Sequence, residues 1–282
     1  RGRGRRRMSH ASVLFPALAG GLYALAGLAY LALWWRASRA LRALASATFA
    51  GALLINLLQF GLRWAQAGQP PFKTLYESLI VAAGCLALIY LVIELVYRAR
   101  ILGAPAALGA AVIMLVALLR ADREAVNLPP ALQSHWFIPH VTVYFFGYAS
   151  IFLAAVVAVV YLVRPGPIGQ RRPDLTGGKP IELSALFDGA VRFGFALLTA
   201  GMLMGAAWAK VAWGDYWVWD PKENWSLVTW LLFCAYLHLY YFHHWRGRRL
   251  AILTIAGFAA MAFTYLGMHL LPTAAQSIHV YQ

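Results

Sequence analysis

Apolar runs of about twenty residues, repeated along most of the chain, restrict its fold more than any other feature. A helix needs about 20 such residues to cross a bilayer core of ~30 Å. In that layer every backbone N–H and C=O must be satisfied within the protein, which favours helices. The runs lie at about Ser12–Trp35, Leu44–Trp64, Ser78–Tyr97 and Ile101–Leu119, then up to Val163, and at about Phe187–Trp208, Pro221–Tyr241 and Ala251–Leu271. The expected fold is therefore all-α: a polytopic integral membrane protein with about eight transmembrane helices. Of the 282 residues, 62% are hydrophobic and 12% charged, which excludes an ordinary soluble domain.

No linker is long enough to separate soluble domains, so residues 12–282 are read as a single membrane domain. The arginine cluster before Met8 is set apart, with residues 1–11, as a basic extension outside the fold. The net charge of +14 is not a nucleic-acid signal, because the basic residues sit mainly in short loops between spans. Cys85 and Cys234 lie alone inside apolar runs and read as core residues. No Cys-x-x-Cys-His occurs, so the chain attaches no c-type haem to itself.

Alternate loops are basic. Arg36, Arg39 and Arg42 follow the first run, and Arg98 and Arg100 the third. Arg164, Arg171, Arg172 and Lys179 follow the fifth, and Arg246, Arg248 and Arg249 the seventh. The positive-inside rule makes these loops cytoplasmic. The segment with His135 and His140, the loop between runs six and seven, and the tail with His279 then face outside.

That external loop is WAKVAWGDYWVWDPKENWSLVTW, residues 208–230, with six of the eleven tryptophans. Amphipathic indoles suit the membrane–water boundary, but six in one segment exceed an anchoring belt. Trp208, Trp213, Gly214, Trp217, Trp219, Asp220 and Trp225 read as the platform for a flat, apolar ligand, with Gly214 allowing a tight turn. Asp220, Pro221 and Glu223 read as a capping box opening the seventh run.

His140 at the start of run five and His279 in the tail share the outer face with this platform. Two imidazoles beside an aromatic surface are the components of a bis-histidine haem site. His135 and His269 are alternative ligands on that side. His238 lies about 25 Å along the seventh run at ~1.5 Å per residue, in the cytoplasmic half of the membrane, where an ionisable group is a functional candidate. Arg123, Lys210 and Lys222 are candidate partners for propionates. None of these groups is expected to act as a catalytic acid or base.

WGDYWVWDPKENWSLVTW, followed by CAYLH, resembles the tryptophan-rich WWD signature of haem-handling proteins, in the form carried by the CcsA/ResC family of system II cytochrome c biogenesis. PPFKTLYESL, LQSHWFIPHV and SIHVY resemble further segments of that family, so the likeness covers about residues 70–282. The family usually carries Asn where this chain has His269, and its closing segment differs from AAQSIHVYQ. The resemblance implies a bacterial cytoplasmic membrane protein that conveys haem b to the outer, periplasmic face. It implies His140 and His279 as the external pair. His238 would be the intramembrane histidine, its counterpart supplied by a CcsB/ResB-like partner. Haem would then be presented to the Cys-x-x-Cys-His of an apocytochrome c, with haem lyase activity belonging to the complex.

A second class fits the same residues: a haem b electron-transfer or quinone-linked subunit of a respiratory complex, with permanent haem. A haem or small-solute transporter without iron–imidazole ligation is a third.

Overall fold

The computed structural model describes residues 11–36, 38–120, 132–164, 166–167 and 180–267. Among these residues the regular structure is helical. The long helices are α1 (Ala11–Ala32), α2 (Arg39–Ala67), α3 (Leu75–Tyr97), α4 (Gly103–Leu119), α5 (Phe137–Val163), α6 (Leu183–Trp213), α7 (Pro221–Tyr241) and α8 (Arg248–Leu266). A single 3-10 turn, Arg100–Leu102, precedes α4. Seven of the eight are long and apolar enough to cross a membrane, and the chain is a multi-pass membrane protein. α7 is the exception. Its 21 residues span roughly 31 Å, but Lys222, Glu223, Asn224 and His238 leave it without a stretch as apolar as those of the other seven.

The helices group into two compact units, one of Arg1–Val96 with Gly103–Pro129 and the other of Tyr97–Leu102 with Pro130–Gln282. In the first, α1 packs against α2 and α4. Glycines bring α1 and α4 together: a Cβ on Gly27 would come within 2.6 Å of Leu108, and one on Gly20 within 3.1 Å of Met114. Small residues let backbones approach where lipid provides no hydrophobic drive.

Polar side chains join α2 to α3. Gln59 donates to the Tyr76 hydroxyl at 3.0 Å, and Arg63 pairs with Glu77 at 2.7 Å with both side chains largely buried. Glu77 also caps its own helix. Its backbone N–H reaches Thr74 Oγ1 at 3.1 Å, and its carboxylate accepts the N–H of Thr74 at 3.3 Å and of Lys73 at 3.0 Å. Glu94 is buried, accepting from Tyr30 at 2.5 Å and from Ser46. Glu94 lies one turn from the basic end of α3, and the fold turns it inward onto two hydroxyls.

In the second unit α5 lies closest to α6, while α8 packs on both α5 and α7. The α5–α6 contact is a regular antiparallel seam. Phe137 meets Trp208, their ring centroids 5.1 Å apart. His140 then faces Gly205, Tyr144 faces Gly201, Leu198 faces Gly147, and Ile151 faces Gly194. Along α5 the steps alternate three and four residues, and along α6 they alternate identically in reverse. That is the 3.5-residue repeat of a left-handed helix pair, with glycines as the holes.

α7 joins α6 through Trp230, which donates from Nε1 to Thr199 Oγ1 at 2.9 Å and packs on Phe195. Tyr236 hydrogen-bonds the buried Asp188. Thr229 and Thr264 join α7 to α8 at 3.3 Å.

Candidate functional site

The tryptophan-rich stretch is three pieces. α6 continues beyond the expected end at Trp208 to Trp213, so two of the rings stand on its last turns. Gly214, at φ 92°, ends the helix and donates its N–H to the carbonyl of Lys210. Residues 215–220 form the loop, which carries Trp217 and Trp219, and Trp225 and Trp230 ride on α7. At 31 residues α6 is roughly 46 Å long, well over the ~30 Å hydrocarbon core.

The loop is held from α7. Asp220 accepts the N–H of Lys222 at 2.9 Å. Glu223 reaches back to the N–H groups of Asp220 at 3.1 Å and Val218 at 2.8 Å. The expected capping box is present, and one carboxylate extends it by two residues into the loop. Trp219 sits at φ 60°, a region that bulky residues rarely occupy. Its carbonyl accepts from Asn224 Nδ2 at 2.9 Å, and the residue is 68% exposed.

The rings do not form one flat sheet. Trp208 and Trp213 meet at 4.7 Å with a 61° interplanar angle, and Trp217 and Trp219 at 6.0 Å with 84°. Trp225 turns toward the bundle, 4.4 Å from Phe263, and Trp230 is spent on α6. Trp213, Trp217 and Trp219 are the rings left at the surface. The Trp217 Nε1 atom is buried without a hydrogen-bond partner among the described residues. A buried orphan donor in a native fold calls for a further acceptor.

His140 occupies the first turn of α5 and is half-buried. Its ring stacks on Trp208 at 5.7 Å and 29°, and meets Tyr144 edge-on at 4.9 Å. Its Nδ1 lies 2.7 Å from the carbonyl oxygen of Gly201. A carbonyl only accepts, so Nδ1 carries the proton and Nε2 the lone pair. Iron-ligating imidazoles are commonly oriented in this way, the second nitrogen donating to a carbonyl or carboxylate. The donor set therefore fits a haem iron on His140.

The other expected ligands are not gathered there. His135 is exposed in the turn before α5. His238 is exposed near the end of α7, 5.0 Å from the Phe242 ring and 5.3 Å from His243. His269, His279 and Arg123 lie outside the described residues. Lys210 donates from Nζ to the carbonyl of Gly214 at 2.5 Å and covers the Tyr216 ring, which makes it a cap for α6. Lys222 is half-buried in the first turn of α7.

A small cavity of about 10 Å³ is lined by Tyr144, Ser226, Thr229, Trp230 and Thr264, among others. That is room for about one water, so the surface, not this interior, offers room for a tetrapyrrole. Sequence reasoning did not single out Gly201, Gly205 and Tyr144, which seat His140. The four-residue glycine spacing in GMLMG was the available signal.

A family model described as "Cytochrome C assembly protein" matches residues 72–275. The chain is similar to the cytochrome c biogenesis protein CcsA of Synechococcus elongatus, with 35% identity over 290 residues covering 86% of this chain and 88% of that protein. Against CcsA of Chlorella vulgaris the identity is 34% over 267 residues, covering 83% and 84%. Among solved structures, cytochrome c haem lyase CcmF shares the fold with a TM-score of 0.59 and 20% identity. It aligns over 92% of this chain and 49% of its own.

Proposed function

The chain belongs to the cytochrome c assembly protein family, and on that premise we propose that it is the haem-binding subunit of a system II cytochrome c synthase. In this reading haem b is cargo rather than a resident redox group. It is conveyed to the periplasmic face of a bacterial cytoplasmic membrane and joined there to the Cys-x-x-Cys-His of an apocytochrome c.

The observation that carries this reading is the setting of His140: a half-buried imidazole stacked on Trp208, its Nδ1 proton held by Gly201. Held this way, Nε2 can donate its lone pair to iron from the outer end of α5. Trp213, Trp217 and Trp219 offer apolar edges to the macrocycle, and the Trp217 N–H offers a donor to its periphery. His279 is proposed as the second external ligand. His238, exposed on α7, is proposed to ligate haem earlier, opposite an imidazole from a CcsB/ResB-like partner. Bound haem supplies vinyl groups for thioether formation. The contribution of the chain is to hold and orient, because fixing two reactants in an attack geometry removes much of the barrier to joining them.

The test is the absorption spectrum and cytochrome c yield of the complex purified with its partner. His140→Ala and His279→Ala should each abolish the bis-imidazole signature and lower the yield of mature cytochrome c. Unchanged spectra and yield in both variants would overturn the assignment. A haem that stays bound through maturation and exchanges electrons with quinol would point to an electron-transfer subunit.

A further inference from the structure

The seam between α5 and α6 contains a feature that packing alone does not require. At four rungs a glycine faces a side chain of the opposite helix. Three of these hold apolar contacts or a ring edge: Gly194 with Ile151, Gly147 with Leu198, and Gly201 with Tyr144. The fourth, Gly205, faces the His140 ring. A Cβ at 205 would stand 2.5 Å from His140 Cε1 and 2.7 Å from Nδ1, closer than non-bonded carbon or nitrogen atoms can approach. The Cε1–Nδ1 edge of the ring therefore lies against the backbone of α6 only because residue 205 has no side chain. In that position, and one turn from Gly205, its Nδ1 meets the Gly201 carbonyl at 2.7 Å.

We propose that Gly205 is a positioning residue for the His140 imidazole, setting both its place and its tautomer so that Nε2 presents a lone pair to iron. The inference rests on the reading of His140 as a haem ligand, and it assigns a role to α6 in that ligation. An added methyl at 205 would press on a side chain that can swing about χ1 and χ2. The strain is relieved by moving the imidazole, not by separating the helices. Alanine also suits a helix interior better than glycine does, so Gly205→Ala should fold. Its cost falls on the Nδ1–carbonyl bond: the ring leaves Gly201, and neither nitrogen remains committed to the proton.

The test reads the imidazole first without haem. The full chain, labelled with ring-15N histidine and prepared haem-free in nanodiscs, is examined by NMR. The His140 signal is identified by its loss in His140→Gln. The wild type should show His140 protonated at Nδ1, and Gly205→Ala should shift it to a mixture of tautomers. In the complex with haem, Gly205→Ala should convert a large share of the six-coordinate low-spin signal to high-spin. Added imidazole should restore the low-spin form. Gly194→Ala crowds Ile151 in the same seam, away from His140, and should leave both the tautomer and the spin state unchanged.

A wild-type His140 protonated at Nε2 would overturn the proposal without any variant. So would a Gly205→Ala protein matching wild type in tautomer and spin state, or a Gly194→Ala protein reproducing the Gly205→Ala spectrum. A His140→Gln complex that keeps the wild-type haem spectrum would instead overturn the ligand assignment, while the tautomer result would still report on Gly205.

Discussion

Nδ1 of His140 on α5 lies 2.7 Å from the carbonyl oxygen of Gly201 on α6. The bond crosses the tightest seam of its unit, so the helix pair that builds the fold also orients the candidate ligand. The ring is held on two further sides by Trp208 and Tyr144. A group fixed by packing and a hydrogen bond loses little freedom when it takes a ligand, which is the physical advantage of building a site on helices.

Glu223 should matter more to the loop than an ordinary capping residue. It satisfies the N–H groups of both Val218 and Asp220. Replacing a capping side chain costs ~0.5–2 kcal/mol, and Glu223→Ala should reach the upper part of that range. Thermal unfolding in detergent should show the loss, and indole fluorescence should report looser Trp217 and Trp219. Asp220→Asn, which keeps an accepting oxygen, should be milder than Asp220→Ala.

Gly194→Ala should destabilise by overpacking, since its Cβ would lie 2.8 Å from Ile151 Cδ1. Inserting atoms into a packed seam typically costs ~1–3 kcal/mol. Ile151→Val in the same chain should return part of that loss. A double-mutant cycle on unfolding measures the coupling, and strictly additive effects would argue against the seam as described.

Arg63 and Glu77 form a largely buried pair that also anchors the start of α3. Removing one member of a buried pair costs ~3–5 kcal/mol because the other charge stays behind. Glu77→Ala should therefore be far more damaging than the double change Arg63→Met with Glu77→Leu. Expression level and melting temperature of the three variants check the order.

Trp217→Phe should separate folding from binding. It deletes a buried N–H that has no partner among the described residues, so stability without haem should stay the same or rise slightly. If the N–H serves the ligand, haem retention during purification should fall. A marked drop in haem-free stability would show that the donor is already satisfied within the fold.

The helices themselves were legible because twenty-residue apolar runs have few other structures open to them. His140 at the entrance of α5 was equally readable, as was the capping box from Asp-Pro-Lys-Glu. Other features needed the third dimension. The extension of α6 to Trp213 was hidden because WAKVAW mixes small, charged and aromatic residues, which reads as an interfacial segment. The inward turn of Glu94 depends on Tyr30 and Ser46, far away in sequence on other helices. The glycines of α6 were visible as a pattern, but nothing in their spacing names His140 as the side chain that fills the hole at 205. The positions of His269 and His279 fall outside the described residues.

The rigid start of α7 makes that helix a ruler. From the capped Asp220 to His238 the chain is continuous helix, so the tryptophan loop and the histidine are fixed in angular phase as well as in distance. Adding or deleting one residue between them would swing His238 by about 100° around the axis and move it ~1.5 Å along it. Adding or removing three or four residues would nearly restore its facing while shifting its depth by most of a turn. Insertions in this stretch should therefore be tolerated by phase rather than by length. A series of one- to four-alanine insertions between Leu231 and Cys234 would measure how strictly the two ends must face their separate neighbours.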